Sequence, residues 1–388
     1  MMETWRTIRL GSACTTNSAT YSPKEKWEFV NYLDTGNITN NRIDSIQYID
    51  VESEKLPSRA RRKVKTNSIV YSTVRPRQRH FGIIKSQPDN FLVSTGFAVI
   101  DVKPEILDAD YLYYVLTQDS IVEKLHAIAE QSTSAYPSIK SSDIEDLEIE
   151  VPDLATQKKI AGILGELDRK AKQNAEINKN LQTQAQSIYT HMIIDEADES
   201  CGSGVLSDIA TITMGQSPKG DTYNEDGIGT VFFQGRAEFG FRFPTRRLYT
   251  TDPKRMAQNN DVLMSVRAPV GDLNVAYEDC CIGRGLGAIH SKDNHQSFVL
   301  YTMFALRDQL DVFNGEGTVF GSINRDALKS MPVSIPSREV VDKFESIVSP
   351  MDAEIKNNYV ESCHLQAIRD SLLPRLMSGE LDVSDLDL

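Results

Sequence analysis

The chain has 388 residues, 40 % hydrophobic and 25 % charged, which is too long for one ordinary core and predicts a soluble globular protein of two or three domains. No run of about 18 apolar residues could span a membrane, Met1 to Thr16 lacks the apolar core of a signal peptide, and five cysteines without Cys-x-x-Cys spacing exclude a disulfide framework and a structural zinc site, so the expected setting is the cytoplasm with reduced thiols. The net charge of −13 taken alone argues against a polyanionic partner, but the distribution of that charge reverses the inference.

Short β-type runs punctuated by Gly, Pro and Asn come first, among them Ser68 to Val74 and Phe91 to Val102. Around them, Lys55, Arg59, Arg61, Arg62, Lys63, Lys65, Arg75, Arg77, Arg79 and Lys85 occur with no acidic residue between Lys55 and Lys85, so the rest of the chain carries −23, the total of −13 less the local +10. A helical stretch from Asp110 to Ala129, a polar loop at 131–140 containing Tyr136, and a strand closing at Pro152 follow. From Ala155 to about Ile193 there is no proline, and apolar residues at Ile160, Ile163, Leu164, Leu167, Ala171, Ile177, Leu181, Ala185 and Ile188 predict a long amphipathic helix.

The sequence then starts again. β-type runs at Gly229 to Phe233 and Asp261 to Val266 flank a second basic stretch, Gln234 to Pro269, in which Arg236, Arg242, Arg246, Arg247, Lys254, Arg255 and Arg267 outnumber Glu238, Asp252 and Asp261. His295 to Phe313 is helical, the loop at 315–324 places Phe320 where the first copy has Tyr136, and a strand ends at Pro336 before a second long helix from Ser337 to Met377. For both rings, packing under a loop and stacking on a base stay open.

Residues 137–152 match 321–336 at a constant offset of 184, Thr73-Val74-Arg75 aligns with Ser265-Val266-Arg267 at 192, and Thr95-Gly96-Phe97 aligns with Arg284-Gly285-Leu286 at 189. Two related units in one chain imply a pseudo-two-fold molecule. A seven-residue column reads Ile160, Leu167, Asn174, Leu181, Ile188 in the first long helix and Phe344, Met351, Asn358, Leu365, Leu372 in the second. Such a column marks a coiled-coil seam, and a seam asparagine is satisfied only opposite another polar group. The helices are therefore expected to pack antiparallel with Asn174 and Asn358 setting the register. At about 1.5 Å per residue, about 36 helical residues span roughly 54 Å, more than one turn of B-DNA, so the pair is expected to act as a spacer.

A basic run is also the mark of a solvated face or of cations paired with acidic neighbours. Two runs are harder to dismiss, because they are rich in arginine, whose planar fork suits phosphate and the guanine edge, and are interleaved with Tyr71, His80, Phe81, Phe233, Phe239 and Tyr249. The expected DNA contacts are Arg59, Arg61, Arg62, Lys63, Arg75, Arg77 and Arg79 in the first copy, and Gln234, Arg236, Arg246, Arg247 and Arg267 in the second, with Arg75 and Arg267 as repeat equivalents. Catalytic motifs are missing. Gly215 to Gly220 begins like a phosphate loop but has Asp221 where lysine is required, and the histidines lack zinc spacing. One alternative survives, a magnesium nuclease using Asp89, Asp101 and Lys103, though the second copy has Ser291-Lys292 in the matching region and no paired acid. No catalytic or metal-ligating residue is otherwise predicted, and the fold class is mixed α/β (α+β): two globular domains, 1–150 and 197–336, joined by two long helical segments, 151–196 and 337–388.

The chain resembles the specificity subunits of type I restriction-modification enzymes over nearly its whole length. The resemblance rests on Val151-Pro152-Asp153-Leu154 followed by Gln157, Ile160, Ile163-Leu164 and Asp168, on the ending Leu372-Leu373-Pro374-Arg375-Leu376-Met377-Ser378-Gly379-Glu380-Leu381, and on Ser72 to Arg75, Ser94 to Phe97 and Gly215-Gln216-Ser217-Pro218. It implies two target-recognition domains, an antiparallel helix pair, no catalysis and no cofactor in this chain, and a bipartite, asymmetric double-stranded DNA target. It also implies partners: two methyltransferase (modification) subunits bringing S-adenosylmethionine, and an ATP-dependent restriction subunit bringing ATP and magnesium. Val341 stands where the first helix has Gln157, so a partner contact through that glutamine would be one-sided.

Overall fold

The computed structural model describes residues 5–132, 136–196, 201–315, 321–383 and 386. The chain forms two compact units, Met1–Lys172 with Ser362–Leu388, and Gln173–Glu361.

In the first unit an antiparallel pair, Arg6–Arg9 with Glu148–Val151, leads into a four-stranded sheet ordered Cys14–Thr16, Phe97–Val102, Ile69–Ser72, Phe81–Ile83. A second sheet, ordered Gln47–Asp50, Phe29–Leu33, Phe91–Ser94, Ala60–Lys63, contains one parallel pair, Phe91–Ser94 beside Phe29–Leu33. The apolar run expected from Phe91 to Val102 is thus two strands in different sheets. They part at Thr95-Gly96, where a Cβ on Gly96 would stand 2.9 Å from the Thr35 methyl. Helices Ala109–Thr117 and Asp119–Glu130 follow, the first capped by Asp108, whose carboxylate accepts the Tyr111 N–H. Tyr71, Phe81, Tyr111, Leu112, Ile160 and Leu164 share one core.

The second unit repeats the plan. Gly202–Val205 pairs with Pro332–Ile335, one sheet is ordered Ala210–Met214, Leu286–Ser291, Val262–Ser265, Leu273–Val275, and the other sheet again holds a parallel pair, Thr230–Phe233 beside Cys280–Ile282. Helices Gln296–Ala305 and Arg307–Asp311 match the helices of the first unit.

The long helices are Leu154–Tyr189, continued by a wider π-type turn over Thr190–Asp195, and Arg338–Met377. Asp153 caps the first by accepting the Ala155 and Thr156 N–H groups (2.8 and 3.1 Å). Gly379, at φ +71°, follows the last turn of the second and lies so close to the Trp5 indole that a Cβ there would collide. Within the second unit, Asn174 Nδ2 donates to Asn358 O (3.3 Å), Asn178 Nδ2 to Ile355 O (3.0 Å), and the Tyr189 ring meets Phe344 at 5.7 Å. Rising numbers on one helix meet falling numbers on the other, so the pair is antiparallel. Asn358 Nδ2 donates to Asn178 Oδ1 (2.9 Å). The polar layer therefore includes Asn178, which the seven-residue column does not contain.

Candidate nucleic-acid interface

Each unit builds the same backbone ladder. In the first, the Thr73 N–H donates to Gly96 O (2.8 Å), its carbonyl accepts the Ile139 N–H (2.8 Å), and the Arg75 N–H donates to Pro137 O (2.9 Å). In the second, the Val266 N–H donates to Gly285 O (2.9 Å), its carbonyl accepts the Ile323 N–H (3.1 Å), and the Ala268 N–H donates to Gly321 O (3.0 Å). A strand end, a tight turn and a returning loop thus meet at one point in both units.

This ladder corrects the expected register. Thr73 matches Val266, Val74 matches Arg267 and Arg75 matches Ala268; the isolated bridges Val74 to Ser138 and Arg267 to Ser322 agree. Arg75 and Arg267 therefore occupy successive positions of the repeat, not equivalent ones. Backbone pairing fixes the alignment here, and identical side chains one residue apart misled the sequence comparison.

Arg267 is exposed and, among the described residues, makes no ion pair. It lines a cleft of about 590 Å³ together with Arg284, Met214, Ala268, Ser322 and Asn324. Arg284 is likewise exposed and is placed by the Gly215-Gln216-Ser217-Pro218 segment: Ser217 Oγ accepts the Arg284 N–H (3.2 Å), Gln216 donates to Ile282 O (2.9 Å), and a Cβ at Gly215 would collide with the Gly283 carbonyl. The segment that begins like a phosphate loop is thus a buttress for the turn carrying Arg284. That arginine lies outside both basic runs, and its only signal in the sequence is the repeated turn glycine, Gly96 and Gly285.

In the first unit Arg75 adopts a left-handed backbone, φ +48°, rare for a residue with a side chain, and its guanidinium lies 5.1 Å from the centre of the exposed Tyr136 ring. Phe320 lies outside the described residues. Arg59 is exposed, with its carbonyl accepting the Thr95 N–H (2.9 Å). Arg61 Nε reaches Ser58 O at 3.4 Å. Arg62 is part-buried, its Nε has no acceptor among the described residues, and burial lowers its pKa.

The other expected cations are held by acids. Lys63 pairs with Glu25 and lies over Trp27; Arg77 pairs with Glu123 and Arg79 with Asp119, both on the helix Asp119–Glu130. Arg236 pairs with Asp272, Arg246 with Glu278, and Arg247 with Glu225 and the buried Glu238 (3.2 and 2.7 Å). The hydrogen bond between Arg77 and Glu123 raises the arginine pKa and lowers that of the glutamate, and the bond to Glu238 raises Arg247. Gln234 is exposed, its carbonyl accepting the Gly285 N–H (3.2 Å) beside the Arg284 turn.

Two further expectations fail. Asp101 is buried and accepts hydroxyls from Ser18 and Ser68 (2.6 Å each), Lys103 donates to Ser12 O (2.9 Å), and among the described residues no group of three His, Cys, Asp or Glu could hold a metal ion. The nuclease alternative has no support. Gln157 offers a partner nothing: fully buried, it donates to Pro152 O (2.9 Å) and Ile106 O (3.4 Å) and accepts the Asp108 N–H (2.9 Å). In the second unit its position is the apolar Val341, and Glu345 takes over the link by accepting the Ser297 and Phe298 N–H groups (3.2 and 3.0 Å).

The chain is thus a duplicated α/β unit with exposed arginines at its turns and two long paired helices. The profile of the type I restriction modification DNA specificity domain matches residues 2–183 and 204–361, and the chain belongs to that family. It is 28 % identical over 371 residues, 89 % of this chain and 86 % of that protein, to a specificity subunit assigned to the MjaX type I restriction enzyme of Methanocaldococcus jannaschii. It is 22 % identical to the HindI type I restriction enzyme specificity subunit of Haemophilus influenzae over 98 % of this chain and 100 % of that protein. The crystal structure of a type I restriction-modification S subunit from M. genitalium shares the fold, with a TM-score of 0.61 at 17 % identity, covering 96 % of each chain. Membership makes this chain a non-catalytic DNA-recognition subunit of a type I restriction-modification system. No helix among the described residues is long and apolar enough to cross a membrane.

Proposed function

We propose that the chain reads a split, asymmetric double-stranded DNA target, one half through each unit, and works in the cytoplasm. The observation that supports this best is that Arg267 and Arg284 line one cleft and, among the described residues, neither makes an ion pair, since two like charges side by side are best satisfied by an anion. In the first unit Arg75, with Arg59, Arg61 and Arg62, is the counterpart. Arg246 and Arg247 stay about half exposed, and the surface pairs of Arg246 with Glu278 and of Arg247 with Glu225 are worth only about 0.2 to 1 kcal/mol; each of those carboxylates can be exchanged for a phosphate while Arg247 keeps the buried Glu238. The partners are two methyltransferase subunits carrying S-adenosylmethionine and an ATP-dependent restriction subunit using magnesium; this chain holds none of these cofactors.

Binding of the Arg75→Ala, Arg267→Ala and Arg284→Ala chains at two salt concentrations tests the reading. An arginine that reads a base costs about 1 to 3 kcal/mol on removal and relaxes one position of the target, whereas a phosphate contact weakens all sequences alike and lowers the salt slope by about one. Unchanged binding in all three retires the cleft assignment.

A further inference from the structure

The loop from Gln234 to Arg247 carries four of the proposed DNA contacts of the second unit, and it is fastened to one face of the second long helix. Asp352, Lys356 and Tyr359 stand four and three residues apart, the spacing of one helix face. Asp352 Oδ1 lies 3.3 Å from Arg242 Nη2 and accepts the Tyr301 hydroxyl (3.0 Å). Arg242 is only 4 % exposed, donates to Tyr301 Oη (3.0 Å), and lies 5.7 Å from the centres of the Tyr301 and Phe304 rings. Lys356 Nζ donates to Asn259 Oδ1 (2.9 Å), Asn260 Oδ1 (3.4 Å) and Tyr277 O (3.2 Å) and stands 5.0 Å from the Tyr277 ring, as the Arg246 guanidinium also does. Tyr359 packs on Phe243 at 4.9 Å. Further along the loop, Gly240 donates to the buried Asn274 side chain (3.2 Å) and accepts from it (2.9 Å). Between these two pinned positions Phe241 is left 54 % exposed.

The first unit has the same pair without the strap. Asp168, 184 positions before Asp352, accepts the Tyr114 hydroxyl (2.7 Å), but its counter-charge is Arg369 (2.7 Å), which comes from the other long helix. Lys172 is exposed, and Ala175 stands at the repeat position of Tyr359. A Tyr–Asp contact common to both units is therefore completed by a recognition loop in only one of them. A guanidinium as buried as that of Arg242 stays in place only while its carboxylate is charged and near, so the helix dictates where the loop lies.

We propose that Asp352, supported by Lys356 and Tyr359, is a positioning residue for DNA reading by the second unit, holding the loop Gln234 to Arg247 in its binding conformation without touching DNA. This rests on the reading that the loop meets DNA. The test uses the full chain assembled with its methyltransferase subunits, with duplexes that carry the target mapped by methylome sequencing or one wrong base in either half. In the parent a wrong base costs roughly fivefold to hundredfold in affinity. In Asp352→Asn that penalty falls toward onefold in one half and is unchanged in the other, while hydrogen-exchange protection of Val262–Ser265 and Leu286–Ser291 persists. Asp168→Asn, which breaks a helix-to-helix pair, keeps both halves selective. If Asp352→Asn loses the protection of its sheet, Tyr359→Leu, which removes the ring packed on Phe243, carries the same expectation and decides. Full discrimination in both halves overturns the proposal. An Arg246→Ala, Arg247→Ala chain separates the two ideas: unchanged affinity and salt slope show that the loop does not meet DNA, whereas weakened binding beside a fully selective Asp352→Asn chain defeats the positioning role alone.

Discussion

Single side chains decide how a basic sequence becomes a binding surface. Arginine counts single out two stretches of the chain but could not say which cations are spoken for, because the partners of Arg77 and Arg79 lie some 40 positions away on a helix, and that of Arg236 lies 36 positions away. Arg284 was invisible for the opposite reason, being a lone cation that a turn sets at the edge of the cleft. Ionisation is also set locally. Burial raises the Glu345 carboxyl above the ordinary glutamate range despite the two backbone N–H groups it accepts and the nearby His295. A carboxyl with a raised folded-state pKa binds more protons folded than unfolded, so its contribution to stability is fully present below the ordinary value of about 4.3 and is lost as pH rises through the raised one. Asp342, held low by the hydrogen bond from His295 and then by Arg338, works in the opposite direction: its contribution is present above the ordinary aspartate value and is lost as pH falls. Denaturant midpoints of the parent and of Glu345→Gln, followed across the window above the ordinary glutamate value, should show the parent losing ground to the variant as pH increases.

Among the elements, the long helices were the most legible, since an apolar period close to seven survives any detail of packing. Their ends fall within a residue or so of the predicted starts at Ala155 and Ser337, because Asp153 and the prolines at 152 and 336 mark them. The polar layer was read in part. Asn174 and Asn358 stand on the column, whereas Asn178, one turn beyond Asn174, breaks the period and escapes it, although it both donates across the seam and accepts from Asn358. Asn178→Ala removes both of these bonds across the seam and should cost about 1 to 3 kcal/mol in urea unfolding. An unchanged midpoint would mean that water serves those groups equally well. Strand boundaries were less legible: the continuous apolar stretch from 91 to 102 contains two sheets' worth of strand, separated only by a turn whose glycine must pass close to Thr35.

At the scale of the molecule, duplication was visible in the offset of 184 and is repeated in the sheet orders, down to one parallel pair in each unit. What the repeat could not reveal is how unlike the copies have become around their shared skeleton, with Gln157 answered by Glu345 and Arg75 answered by nothing at the matching Ala268. Two readers of different make predict a two-part footprint on DNA. In nuclease protection of the assembled complex, Arg75→Ala should open one protected block and Arg267→Ala the other; a single block weakened by both would contradict independent reading.

The differing sources of counter-charge for Asp168 and Asp352 bear on how such a chain could exchange its parts. A new first domain, grafted between the same helices, finds Asp168 already neutralised by Arg369, which belongs to the scaffold. A new second domain must bring its own cation to Asp352 or leave a carboxylate stranded beneath it. The two halves of the molecule therefore ask different things of a newcomer: the second demands a cation, whereas the first demands neutral groups that satisfy the Gln157 amide and Asp168.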